Sequence, residues 1–162
     1  MLRISIIFLL ISLTLTSSGQ EISPEKNNSI SLQLGKTGTI LNVRFDHKIA
    51  NKKITYNFNA GSNFAKYLTA RSVGAGGSYL FGKRKSFLET GVDINYLVVD
   101  QVSDDQGIAL VFPNYSIKTL YVSLDIGYRK YTKGGLFRIG ISPGFFKNGF
   151  LPGGYVSYGF TF

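Results

Sequence analysis

From residue 29 to residue 162 apolar and polar side chains alternate with a period of two, and the alternation breaks at short clusters of Gly, Asn and Lys. A period of two sends successive side chains to opposite faces of an extended chain, so the pattern predicts strands joined by turns. No segment beyond residue 28 carries the 3.6-residue period of an amphipathic helix. Eight strands are expected, over 29–35, 39–49, 53–62, 69–82, 86–99, 117–131, 134–146 and 153–162. The clearest lies in LYVSLDIGYRKY, residues 120–131, where Leu120, Val122, Leu124, Ile126 and Tyr128 oppose Tyr121, Ser123, Asp125, Gly127 and Arg129. In the last strand Val156, Tyr158, Phe160 and Phe162 oppose Tyr155, Ser157, Gly159 and Thr161.

Alternation alone leaves open which face is inside. A soluble exported barrel for an apolar ligand would turn its apolar face inward. Three features favour the reverse. The polar face is built of Gly, Ser, Asn and few charges, small enough for the interior of a narrow barrel. Tyr and Phe recur toward the strand ends of the apolar face, as interfacial girdles would require. Most strands reach the length needed to cross a bilayer at a tilt. An open sheet edge in hydrocarbon would leave unpaired N–H and C=O groups at several kcal/mol each, so the sheet must close. The expected fold is all-β, an antiparallel up-and-down transmembrane β-barrel of about eight strands, with strand 153–162 pairing with the first. A GKTG stretch, residues 35–38, could instead be a bulge in one strand spanning 29–49, which would give seven.

Composition adds a compartment. The opening MLRISIIFLLISLTLTSSG has a positive start at Arg3, an apolar run from Ile4 to Leu15 and small residues at Ser17 and Gly19, the pattern of a signal peptide over 1–19. Its apolar run is too short for a spanning helix. Residues 20–28 are a polar lead-in, and 29–162 form the barrel. The absence of Cys excludes disulfides and thiolate metal sites. A formal charge of +9 raises the question of nucleic acid, but the cations gather in short connections such as 52-KK, 83-KRK and 130-KYTK rather than along a groove, so nucleic acid is not an expected partner.

The segments NVRFDHKI, FGKRKSFLETGVDINYL, LDIGYRKYTKGGLFRIGISP and GGYVSYGFTF resemble the small outer-membrane β-barrel proteins of Bacteroidota, over residues 29 to 162. The resemblance implies a barrel of about eight strands in the cell outer membrane, surrounded by lipid and inserted by the barrel assembly machinery. That machinery reads a C-terminal strand with a terminal aromatic and alternating apolar positions, which Val156, Tyr158, Phe160 and Phe162 match. With both termini in the periplasm, 50–52, 83–85 and 132–133 become periplasmic turns. The outward loops are then 36–38, 63–68, 100–116 and 147–152.

Candidate chemistry is sparse. Inward parity collects Arg44, Asp46, Glu89, Asp93, Asp125, Arg129 and Arg138, three Arg against four carboxylates. They could line an ion path or form a plug of ion pairs, and the near-balance of charge favours the plug, because an unpartnered buried charge is costly. His47 is the only histidine, sits beside Asp46 and Lys48 on the outward parity and has no serine motif to serve. No catalytic, metal or cofactor site is expected. Asp100, Asp104 and Asp105 lack the spacing of a calcium loop. The glycines of 74-GAGGSYLFGK lack the ending of a phosphate loop, and Gly74 and Gly76 are expected to face inward where a neighbour's side chain needs room. Pro143 is expected at a bulge or strand end. The apolar 108-IALVFP could contact a partner, cover the barrel mouth or extend the strands. The functional expectation is a monomeric, non-catalytic structural or surface-interaction protein, with a narrow solute or ion pore and a soluble lipid-binding barrel as alternatives.

Overall fold

Period-two alternation has its counterpart in ten strands among the described residues, which build one closed sheet. The computed structural model describes residues 26–63, 68–101, 117–147 and 149–162. The strands are β1 Asn28–Gly35, β2 Leu41–Lys48, β3 Ile54–Ser62, β4 Leu68–Lys83, β5 Ser86–Gln101, β6 Ile117–Tyr131, β7 Gly135–Ile141, β8 Gly144–Phe146, β9 Gly149–Leu151 and β10 Gly154–Thr161. Each of β1 to β6 pairs antiparallel with the next, β7 joins β6 to β10, and β10 returns to β1. The ring is therefore an eight-strand antiparallel barrel. Its seam runs from Ser29↔Thr161 to Gly35↔Tyr155, clamped at the lower end by Asn28 N–H to Phe162 O at 3.1 Å and Phe162 N–H to Asn28 O at 2.9 Å.

Lys36–Ile40 resolves the ambiguity of GKTG. It is a turn between two paired strands, with Gly35 N–H donating to Ile40 O at 2.7 Å, and β1 and β2 register as separate staves from Asn28↔His47 to Leu34↔Leu41. Gly35, Lys36 and Gly38 take φ values of 77°, 124° and 86°, a left-handed path that glycine permits and Lys36 holds against the usual preference. Pro143 marks the end of β7 without a bulge. Ile126↔Ile141 and Ser123↔Gly144 keep the same register on either side, so no residue is inserted and β7 and β8 form one interrupted stave. Pro143 O accepts from Leu124 N–H at 3.0 Å, and without an N–H it cannot return the bond. The expected loop 147–152 contains β9, which pairs with β8 above the ring.

The two faces have opposite polarity along every stave. Leu32, Val43, Phe58, Val73, Ile94, Leu120, Ile139 and Phe160 point away from the bore, with Leu120 at 64% and Phe160 at 65% exposure. Ser31, Asn42, Arg44, Asn57, Glu89, Asp93, Asn95, Ser123, Asp125, Arg138 and Ser157 are buried inside. A barrel built to hold an apolar ligand needs the inverse, so the lipid-binding alternative is contradicted. The interior is mostly polar, with two apolar regions. Ala70, Leu97, Val99 and Tyr121 form a buried apolar cluster toward the long-loop end, with Phe146 packed against it. Leu80 and Leu136 are fully buried nearer the short turns.

At the short-turn end lie the β2–β3, β4–β5 and β6–β7 connections together with the start of β1 and the end of β10. Tyr56, Tyr79, Phe81, Tyr128, Tyr158, Phe160 and Phe162 stand exposed just inside that end, and Tyr96, Phe145 and Phe150 near the other. The aromatic belt is thus heavier on the short-turn side. The signal peptide 1–19, the start of the lead-in, Asp104, Asp105 and the apolar stretch 108–113 lie outside the described residues.

Candidate functional site

Barrel geometry brings charges far apart in sequence into one connected cluster in the bore. Arg44 and Asp46 lie two apart on β2, Glu89 and Asp93 four apart on β5, and Asp125 and Arg129 four apart on β6, so each pair shares the inward face. Arg138 enters from β7, directly opposite Arg129. All seven are buried, none more than 1% exposed.

Glu89 sits between two guanidinium groups. Arg129 donates Nη2 to Oε1 at 2.8 Å and Nε to Oε2 at 2.9 Å, and Arg138 donates Nε to Oε2 at 2.9 Å and Nη2 to Oε1 at 3.0 Å. Both are fork-to-carboxylate contacts, the strongest geometry available to an Arg. A third Arg129 bond runs from Nη2 to Asp46 Oδ1 at 3.1 Å, and Nη1 donates to Tyr131 Oη at 3.0 Å. Arg44 links this lower group to an upper one. Its Nε donates to Asp46 Oδ1 at 3.0 Å, while Nη1 reaches Asp125 Oδ2 at 2.9 Å and Asp93 Oδ2 at 3.2 Å.

Neutral side chains complete the carboxylates. Asn57 Nδ2 donates to Asp93 Oδ1 at 2.9 Å, and Ser142 Oγ to Asp125 Oδ1 at 2.6 Å. Glycines make the room. A Cβ on Gly76 would stand 1.9 Å from Asp93 Oδ1, and one on Gly74 2.1 Å from Asn95 Oδ1, which explains the glycine-rich run of β4.

One member of the cluster was not among the candidates. Lys36, in the β1–β2 turn, reaches down into the bore, ion-pairs with Asp93 and stands 3.6 Å from Asp125 Oδ2. Its turn is fastened over the interior: Thr37 Oγ1 donates to Ser142 O, and Tyr121 Oη donates to Thr37 O at 2.7 Å. Among the described residues the interior, with Lys36, holds four cations, Lys36, Arg44, Arg129 and Arg138, against four carboxylates, Asp46, Glu89, Asp93 and Asp125. The deficit of one cation in the strand residues was the available signal, because a fourth buried carboxylate demands a partner from somewhere.

The remaining candidates fall outside this cluster. His47 is half-buried on the outer face, stacked on Tyr56 with ring centroids 4.8 Å apart, with Nδ1 2.7 Å from Asn28 Oδ1. No bore carboxylate is bonded to it, and no group of three or more metal-ligating side chains comes together among the described residues. Val156, Tyr158, Phe160 and Phe162 share the outer face of the final stave, with Tyr158 and Phe160 edge to face at 6.1 Å. Several interior polar atoms have no protein partner among the described residues, including both amide atoms of Gln33 and Asn59, Ser157 Oγ and Arg138 Nη1.

Comparison with known proteins locates the fold. No family model matches the sequence, and no curated protein matches it. The chain is similar in structure to the N-terminal β-barrel domain of Pseudomonas aeruginosa OprF, with a TM-score of 0.67 and 11% identity, over 85% of this chain and 98% of that one. It is also similar to the Yersinia pestis outer membrane protein Ail in a phospholipid bilayer nanodisc, with a TM-score of 0.50 and 12% identity, over 85% of this chain and 100% of that one. The chain thus shares the eight-strand barrel fold of outer-membrane proteins.

Proposed function

We propose that this chain is a monomeric integral protein of the cell outer membrane, non-catalytic, with a structural or surface-interaction role and a bore closed by its ion pairs. The polarity of the barrel carries this reading. A predominantly apolar outer surface on all eight staves exceeds the patches that soluble monomers expose, whereas hydrocarbon matches it. The interior supports closure of the bore. Four cations and four carboxylates meet within hydrogen-bonding or ion-pairing distance, side chains from opposite walls touch, and the β1–β2 turn covers them.

The same reading includes export through the cleaved segment 1–19, membership of the Bacteroidota barrels the sequence resembles, and insertion by the assembly machinery through Val156, Tyr158, Phe160 and Phe162. Its partners are outer-membrane lipid and that machinery, with no cofactor. A second reading, a narrow pore for small solutes or ions, draws on the interior amide atoms of Gln33 and Asn59, which have no protein partner and suit hydration.

Gel mobility of the washed outer-membrane fraction, with and without boiling in SDS, tests the location. A band in the membrane pellet that migrates faster unheated is expected. A soluble periplasmic band whose mobility ignores heating would overturn it.

A further inference from the structure

The exposed charge of the described residues is unevenly placed, and the bore does not explain this. Each connection at the short-turn end carries cations: Lys52 and Lys53 between β2 and β3, Arg84 between β4 and β5, and Lys130 and Lys133 flanking the β6–β7 turn. At the seam Lys26 takes the same place, its Nζ donating to Thr161 O at 3.0 Å. Following the ring order, these positions go right round the rim. No Asp or Glu side chain is exposed among them in the described residues, since Asp46, Glu89, Asp93 and Asp125 are all committed inside the bore. The opposite end is mixed, with Arg71, Lys118 and Lys147 exposed and Asp100 beside them at the end of β5.

Height along the barrel says what the ring meets. The cations lie immediately beyond Tyr56, Tyr79, Phe81, Tyr128, Tyr158 and Phe162, whose rings stand on the outer face at the level where aromatic side chains mark the boundary of the hydrocarbon. Tyr128 Oη, at 2.9 Å from Ser86 Oγ, keeps its polar end toward the turn. Lys130 lies two residues beyond Tyr128, Arg84 three beyond Phe81, and Lys53 and Lys52 three and four beyond Tyr56, which puts them at the depth of lipid headgroups. A Lys or Arg there meets phosphate oxygens at short range, where screening by salt is least effective.

We infer that the rim of Lys26, Lys52, Lys53, Arg84, Lys130 and Lys133 is a binding surface for anionic phospholipid headgroups in the leaflet that faces the short turns. This rests on the membrane reading above. It adds a lipid preference and a leaflet to it, and an orientation in which the short turns are held against an acidic surface.

The test uses the full mature barrel in bilayers of equal parts phosphatidylcholine and phosphatidylglycerol, with spin-labelled lipids reporting which species is immobilised against the protein. Folding is checked in each sample by heat-shifted mobility. The wild type is expected to favour the phosphatidylglycerol label by about fivefold, the factor that one surface cation typically supplies. The preference should fall in the variant with Lys52→Gln, Lys53→Gln, Arg84→Gln and Lys133→Gln, which keeps only Lys26 and Lys130 of the ring, and fade as salt is raised. A folded wild type that does not discriminate would overturn the inference and leave the membrane reading standing, and so would a folded variant that keeps the full preference. Binding of soluble dextran sulfate through the same four residues, without lipid preference, would reassign the ring to a soluble polyanion. Failure to enter the bilayers at all removes both readings.

Discussion

At the scale of single residues, Glu89 is the member on which the interior depends most. It accepts four hydrogen bonds from two guanidinium groups that have no access to water. Glu89→Gln keeps the shape and removes the charge, leaving Arg129 and Arg138 undercompensated. A loss of about 3–5 kcal/mol is expected, the usual result of breaking one side of a buried pair. Arg138→Gln should cost less, because Arg129 still satisfies Glu89. In the double variant the charges balance again, so the combined loss should fall short of the sum. Urea titration of the heat-shifted band in lipid vesicles measures all three, and additive losses would contradict the network. Lys36→Met should also cost less than Glu89→Gln, because Arg44 remains beside both Asp93 and Asp125.

Legibility at this scale followed from parity. The seven strand charges were assigned to the interior because their neighbours alternate cleanly, and the structure puts all seven there. Lys36 was invisible to the same rule, since a turn with three positive φ values has no alternating faces. Leu97 and Val99 were missed for a related reason. In YLVV, residues 96–99, both parities are apolar, and the pattern cannot report that the strand is nearing a buried apolar cluster.

Among the elements, β10 has the most to do. It closes the ring between β7 and β1, and its outer face carries the proposed assembly signal. Deleting Phe162 is expected to lower the amount of protein in the outer membrane while export continues. Unchanged membrane levels would count against the signal. The seam also depends on Gly159, where a Cβ would stand 2.1 Å from Ile30 O on the neighbouring strand. Backbone cannot swing aside as a side chain can, so Gly159→Ala should reduce the fraction of protein reaching the heat-shifted form. Strand positions were legible to within a few residues because turns punctuate them with Gly, Asn and Lys. The break at Pro143 and the small strand β9 were less so: one proline cannot reveal whether register is kept across it, and GFL is too short for a period to show.

For the molecule as a whole, fold and polarity come from one physical constraint. A sheet whose outer face is apolar must close on itself, and its charges must then neutralise one another across a narrow interior. The alternation in the sequence announced the first condition, and the count of buried charges nearly announced the second. Whether the resulting interior is shut was beyond the sequence, because it depends on how far Arg44, Glu89 and Lys36 reach across the bore and on the turn that covers them. The most direct measurement is single-channel conductance of the folded wild-type barrel in a planar bilayer. A closed, ion-paired bore predicts a flat trace, without steps, from protein whose folding the heat shift confirms. Steady conductance steps from the same preparation would contradict closure and favour the pore.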